Sequence, residues 1–255
     1  MIPRLPEAFL KVPLAHRALH DVQAGRPENS RAAILAAIQS GYGIEIDVQL
    51  SADRVAMVFH DDTLDRLTGA RGLVAGLSAT ELGHIELLGG QEGIPTLPEV
   101  LDIVAGQVPL LIEIKDQDGA MGPLIGALEH ATSAAIAGYS GPVAVMSFNP
   151  HSVARLAELS PDVPRGLVTC SYQAEDWLME AQVRDRLRQI PDYNRVGASF
   201  ISHEVADLER PRVAALKAAG ADILCWTVRS PAEEQRARRV AQNVTFEGYH
   251  AALPR

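Results

Sequence analysis

The sequence predicts an α/β fold of the (β/α)₈ TIM-barrel type, with a small insertion after the second strand. Three observations carry this. Apolar segments of strand length alternate with helical spacings, giving eight strands in 255 residues, a length at which such barrels close as one unit. Residues 63–96 break that rhythm, with Gly69, Gly72, Gly76, Gly83, Gly89, Gly90 and Gly93 punctuating an excursion beside the barrel mouth. Charged and imidazole side chains also fall at strand ends, where parallel barrels place their active sites. One domain spanning 1–255 is expected, with 63–96 as its insertion. A doubly wound sheet is the alternative, but no glycine-rich nucleotide fingerprint follows the first strand.

Residues 1–11 read as an arm leading to a short apolar strand, Val12–Ala15, which ends in His16–Arg17. A polar stretch from His20 to Glu28 follows. Asn29 and Ser30 are helix N-caps, Ala33, Ile34, Ala37 and Ile38 have helical spacing, and Gly41 is a stop. The second strand is Gly43–Val48. Its side chains alternate faces, so Ile44, Ile46 and Val48 share one face and Glu45 and Asp47 the other. A polar turn at 51–54 leads into a hairpin return, Val55–Phe59, ending at His60–Asp61–Asp62. Within the insertion a short helix is expected near Ser78–Leu82, and Thr96 or Pro98 opens another through Val104. The third strand, Leu110–Lys115, repeats the pattern of the second: Leu110, Ile112 and Ile114 face one way, Glu113 and Lys115 the other. Helices near 121–136, 150–159, 174–189, 209–219 and 231–241 then alternate with strands at 142–147, 165–169, 196–201, 222–228 and 243–246.

Composition narrows the function. A net charge of −9 argues against non-specific binding to nucleic acid or an anionic membrane, and leaves an anionic small molecule to be held by local cations or a metal. Cys170 and Cys225 have no metal-type spacing and read as buried reduced thiols. The N-terminus has no apolar run long enough for a signal or a membrane span, so cytoplasmic location is the default. Self-association into a homo-oligomer is left open.

Burying two carboxylates on one face of a strand is costly unless they are paired or bind an ion. Glu45, Asp47 and Glu113 offer only hard oxygen ligands, which favour Mg²⁺ or Ca²⁺ over zinc. Arg17 and Lys115 suit a phosphate, and His16 and His60 exchange protons near neutrality. Together they fit metal-assisted displacement at a phosphodiester. An interior ion pair is the plainer reading of Glu113 and Lys115. Trp226 reads either as core or barrel rim, or as an apolar wall for a ligand's carbon skeleton. His203 follows the sixth strand and is left unassigned; His20, His84, His130, His151 and His250 receive no role.

The ordered set His16–Arg17, Pro27–Ser30, Glu45–Val48, Val58–Asp62, Leu64–Thr68, Ile94–Leu101, Ile112–Lys115, Ser147–Phe148 and Trp226–Val228 resembles the glycerophosphodiester phosphodiesterase family over nearly the whole chain. The resemblance implies a (β/α)₈ barrel, a divalent ion on Glu45, Asp47 and Glu113, and His16 and His60 as the acid–base pair. It places Arg17 and Lys115 near the phosphate, with Glu28 in support, through His16, Arg17 or the metal. It also implies attack by the substrate's own glycerol hydroxyl, a cyclic intermediate opened by water, and release of glycerol 3-phosphate with an alcohol such as choline or ethanolamine.

Two departures stand out. Ala18 replaces the family's usual Gly; the added methyl restricts the backbone, though a negative φ would accept it. The final strand reads Val244–His250 in place of a Gly-Ile-x-Thr-Asp-x-Pro-like run, which is expected to touch the leaving-group pocket and not the metal site. The competing functions are a lysophospholipase D-like activity on lipid diesters, which needs an apolar mouth, and a non-catalytic phosphodiester-binding barrel.

Overall fold

The computed structural model describes residues 2–254. Helix α1 (Glu7–Lys11) precedes β1 (Leu14–Ala15), α2 (Arg31–Ser40), β2 (Gly43–Leu50) and β3 (Ala56–Val58). Helices α3 (Ala79–Gly83) and α4 (Leu97–Val104) lead to β4 (Leu110–Ile114), α5 (Ala127–Ile136), β5 (Val143–Ser147), α6 (Pro150–Leu159) and β6 (Arg165–Thr169). The chain ends with α7 (Ala181–Arg188), β7 (Phe200–Glu204), α8 (Pro211–Ala218), β8 (Asp222–Val228), α9 (Pro231–Ala237) and β9 (Asn243–Phe246).

Eight strands pair in parallel in the order β1-β9-β8-β7-β6-β5-β4-β2, and β1 pairs with β2 to close the barrel. Among the described residues the sheet therefore has no open edge except β3, which runs antiparallel on the C-terminal half of β2. Closure is the (β/α)₈ form. Outward residues Ile44, Ile46, Val48, Leu110, Ile112 and Ile114 join the apolar faces of the helices in one core. The inner face is filled at its base by Leu14, Leu111, Ala144, Phe200 and Leu224, with Leu5 and Phe9 of the arm plugging that end. Asn243 fixes the plug by donating to the carbonyls of Phe9 and Val12 at 2.8 and 2.6 Å. With the base sealed by hydrocarbon, the charged inner residues collect at the opposite end.

Residues 59–96 pack around their own apolar cluster of Met57, Phe59, Leu64, Val74, Leu82, Leu87 and Ile94. Capping boxes at Ser78–Glu81 and Thr96–Glu99 start α3 and α4. Among the described residues no helix is long and apolar enough to cross a membrane. Both cysteines are buried and unpaired.

Several elements are shorter than their periodicity suggests. The helix expected over 121–136 begins only at Ala127, because Gly126 sits at φ +133° and Pro123 interrupts its approach. The helix expected over 174–189 is confined to 181–188, and that over 231–241 to 231–237. The strand expected at 196–201 begins at Phe200, since Gly197 at φ +61° belongs to a turn. That shift puts His203 within β7. It is fully buried there, bonded to the Thr169 hydroxyl at 2.7 Å, on the face opposite the inward Ser202.

Candidate active site

The period of two along β2 and β4 does what the sequence reading requires. Asp47 pairs in register with Glu113, one step from Glu45, and the three carboxylates meet inside the barrel mouth. One oxygen from each lies within 4.8 Å of the others, and all three residues are buried. Burial, together with repulsion from Asp47 and Glu113, pushes the Glu45 carboxyl well above its ordinary pKa. Asp47 goes the other way. Burial would raise it, but Lys115, His60 and Arg17 together hold it well below the usual carboxylate range.

Lys115 reaches back from the end of β4, its ammonium 2.7 Å from Asp47 Oδ1 and 2.6 Å from Glu113 Oε1. A compact cation thus sits against two of the three acids, and the all-oxygen donor set fits a divalent ion. Asn29, expected as a helix cap, instead donates to Asp47 Oδ2 at 2.9 Å, while Ser30 caps α2. The Arg17 backbone N–H donates to Glu45 Oε2 at 2.9 Å. These contacts fix two of the acids from outside, as a preformed ion site needs.

Each histidine is clamped by a carboxylate. His16 Nδ1 lies 2.6 Å from Glu247 Oε2, and His60 Nδ1 lies 2.6 Å from Asp61 Oδ1. Donation from Nδ1 leaves each Nε2 outside the clamp. Burial lowers the His16 pKa by more than the Glu247 hydrogen bond raises it, which favours the unprotonated ring. Glu247 is held ionised by His16, His20 and Arg229. Asp61 is held in turn by a two-bond fork from Arg66, which also binds Glu28, and Glu28 accepts from Arg17 Nη1 at 2.7 Å. Glu28 therefore acts on Arg17 and sits apart from the acidic cluster. A cavity of about 140 Å³ joins His16, Arg17, the three acids, His60, Lys115 and Trp226. Trp226 donates its indole N–H to the Ser202 carbonyl at 3.0 Å and meets Phe148 edge-on at 5.6 Å.

Residues 16–244 match the profile of the glycerophosphoryl diester phosphodiesterase family. The chain belongs to the glycerophosphoryl diester phosphodiesterase family. Within it, the chain is 33% identical over 163 residues to a glycerophosphodiester phosphodiesterase of Caldanaerobacter subterraneus, covering 60% of this chain and 65% of that one. An Oleispira antarctica phosphodiesterase solved with its product sn-glycerol-3-phosphate superposes with a TM-score of 0.75 at 24% identity, over 92% of this chain and 93% of that one. The Thermotoga maritima glycerophosphodiester phosphodiesterase gives a TM-score of 0.69 at 23% identity, over 92% and 94%. These two likenesses carry the barrel fold.

Both departures from the family pattern have structural consequences. Ala18 has φ +64°, not the negative φ that would accept its methyl freely, and Arg17 before it has φ +51°. The left-handed pair turns the Arg17 backbone N–H onto Glu45. Holding Ala in that region costs about 1–2 kcal/mol, which the buried methyl, about 0.8 kcal/mol, partly offsets. Ala18→Gly is expected to leave stability within about 0.5 kcal/mol, whereas Ala37→Gly in α2 costs about 2 kcal/mol. Urea unfolding of the two variants checks this. The altered C-terminal run reaches the site through Glu247, which bonds His16 from 231 residues away. Sequence reading missed Glu247, Asp61 and Arg66. For Asp61 the adjacent position in His60–Asp61 was the available signal; for Glu247 there was none.

Proposed function

We propose that this family member hydrolyses glycerophosphodiesters to glycerol 3-phosphate and an alcohol, with a divalent ion held by Glu45, Asp47 and Glu113. The observation that carries this is the convergence of three buried carboxylates beside two carboxylate-clamped histidines in one cavity. An ion held there supplies positive charge against the phosphate oxygens. Arg17 and Lys115 add fixed positive charge on the same cavity. His16 Nε2, unprotonated, takes the proton from the attacking glycerol hydroxyl. As the new P–O bond forms, the bond to the alcohol breaks, and His60 Nε2–H delivers a proton to the departing oxygen. The cyclic phosphodiester is then opened by water with the two roles reversed. Residues 1–255 act as one unit in this reading, with 63–96 bracing Glu28 through Arg66.

The leaving alcohol has its own space. A wider cleft of about 830 Å³ continues from the cavity past His60, Phe148 and Trp226. It is lined by Asp61, Asp62, Asp116, Asp118 and Asp176, with the Trp177 ring tilted at 54° against Phe148, their centroids 4.8 Å apart. Its one lysine, Lys115, is already paired. An aromatic, acidic wall suits an alcohol that carries an ammonium group, such as choline or ethanolamine. Glycerophosphocholine is expected to outrun glycerophosphoglycerol in kcat/KM, and Trp177→Ala to narrow that preference by roughly 3–30-fold, the worth of one desolvated cation–π contact. Equal ratios in wild type and variant would contradict the head-group assignment.

The exposed Leu178 on the same rim is the observation that favours a lysophospholipase D-like activity. Comparing glycerophosphocholine with a long-chain lysophosphatidylcholine separates the two readings. Release of glycerol 3-phosphate, lost with chelator and restored by Mg²⁺ or Ca²⁺, tests the main one; turnover that ignores chelator contradicts it.

A further inference from the structure

A second group of donors of different chemistry lies behind His16. Glu247 Oε2 is 2.6 Å from His16 Nδ1 and 3.7 Å from His20 Nε2, and all three donor atoms lie within 4.8 Å of one another. Arg229 occupies the other oxygen, Oε1, at 2.8 Å, which leaves Oε2 for the two rings. His20 Nε2 is buried yet has no hydrogen-bond partner. It bears on Glu247 only across 3.7 Å and moves no proton in the proposed reaction, and a buried ring nitrogen with no hydrogen bond needs an explanation.

We propose that His16, His20 and Glu247 form an inhibitory site for zinc or a similar borderline-soft transition ion. Two imidazoles and one carboxylate are a zinc donor set, whereas Glu45, Asp47 and Glu113 are all hard oxygen. Zinc bonds of about 2.0–2.2 Å put neighbouring donors about 3.3 Å apart, so each side chain moves by about 1 Å or less. The fourth position is left for water or chloride. The chain thus carries two adjacent cation sites of opposite preference, one that supports turnover and one that stops it.

The inhibition follows from the tautomer. Unliganded His16 carries its proton on Nδ1, bonded to Glu247, and its Nε2 is the base. Zinc on Nδ1 replaces that N–H bond, and the proton moves through solvent to Nε2. His16 remains neutral, keeps one proton, and can no longer accept another at the reacting nitrogen. This functional consequence rests on the role proposed for His16; the binding itself does not.

The test uses the full chain with saturating Mg²⁺, in wild type and His20→Gln. Added Zn²⁺ is expected to inhibit wild type at micromolar concentration. Each protein's inhibition is read against its own zinc-free rate, and His20→Gln should raise the half-inhibitory Zn²⁺ concentration by about 10–100-fold. With Co²⁺ as a probe, the visible absorption of a four-coordinate site should appear in wild type and fade in the variant. Equal zinc sensitivity in both proteins would place the ion on the carboxylate cluster and overturn the proposal. So would no inhibition of wild type, or a Co²⁺ spectrum that ignores the substitution. A chain with no phosphodiesterase turnover would sink the function proposed above, while the Co²⁺ spectrum would still decide this site.

Discussion

Glu45→Gln is expected to lower kcat/KM for glycerophosphodiester hydrolysis by about 10³-fold or more, because charge stabilisation by a bound ion is worth several kcal/mol. The same change should raise the melting temperature of the chelator-treated protein. Glu45 shares a buried pocket with Asp47 and Glu113, and burial with that repulsion is what raises its pKa. Gln keeps an oxygen for the Arg17 backbone N–H and removes the repelling charge. Each kcal/mol relieved is worth about 2–4 °C in a chain of this size. Loss of activity with a gain in stability is the mark of a site arranged for a ligand and not for the fold. The pH dependence has a definite sign. A carboxyl whose pKa is raised on folding binds more protons folded than unfolded, so metal-free stability falls as pH rises above the ordinary Glu value, near 4.3. Saturating Mg²⁺ or Ca²⁺ should flatten that fall, and Glu45→Gln should remove its Glu45 share. Thermal melts at stepped pH, with and without ion, check both.

His16→Ala is the second large effect, a fall in kcat of roughly 10²–10⁴-fold, with His60→Ala of the same order. Glu247→Gln separates positioning from mere burial. Gln removes the charge that holds the Nδ1–H tautomer and is expected to cost about 10–100-fold in kcat. It should also lower the pKa on the acid limb of the rate profile, because the hydrogen bond to Glu247 is what supports the protonated ring. The His16 ring is active unprotonated, so activity is lost as pH falls through its pKa, and weakening Glu247 moves that loss to lower pH. Glu247→Asp, which keeps the charge but shortens the reach, should recover part of the rate. An unmoved acid limb in Glu247→Gln would remove Glu247 from the mechanism.

The part of the site built from local alternation was legible in the sequence. Glu45 with Asp47, and Glu113 with Lys115, are fixed to the barrel interior by a period of two on strands whose other faces are aliphatic. The closed barrel was legible for a related reason: eight strands alternating with helices in 255 residues leave few other ways to bury both sheet faces. What could not be read depends on long-range placement or on backbone handedness. Glu247 reaches His16 only because β9 pairs with β1, and Ala18 takes a glycine conformation because Glu45 needs the Arg17 N–H beside it. Asn29 carries a capping residue's signature and does other work, orienting Asp47. The misplaced strand at 196–201 arose from apolar content alone; the turn at Gly197 outweighs it, and the four-residue slip moves His203 off the strand end and into β7.

The central claim is that Glu45, Asp47 and Glu113 hold one divalent ion at the point where the histidines work. Anomalous scattering from crystals soaked in Mn²⁺ tests it most directly. The account predicts one strong peak with an oxygen of each carboxylate about 2.0–2.4 Å away, absent in Glu45→Gln. A peak elsewhere, or none while the enzyme turns over, would contradict it.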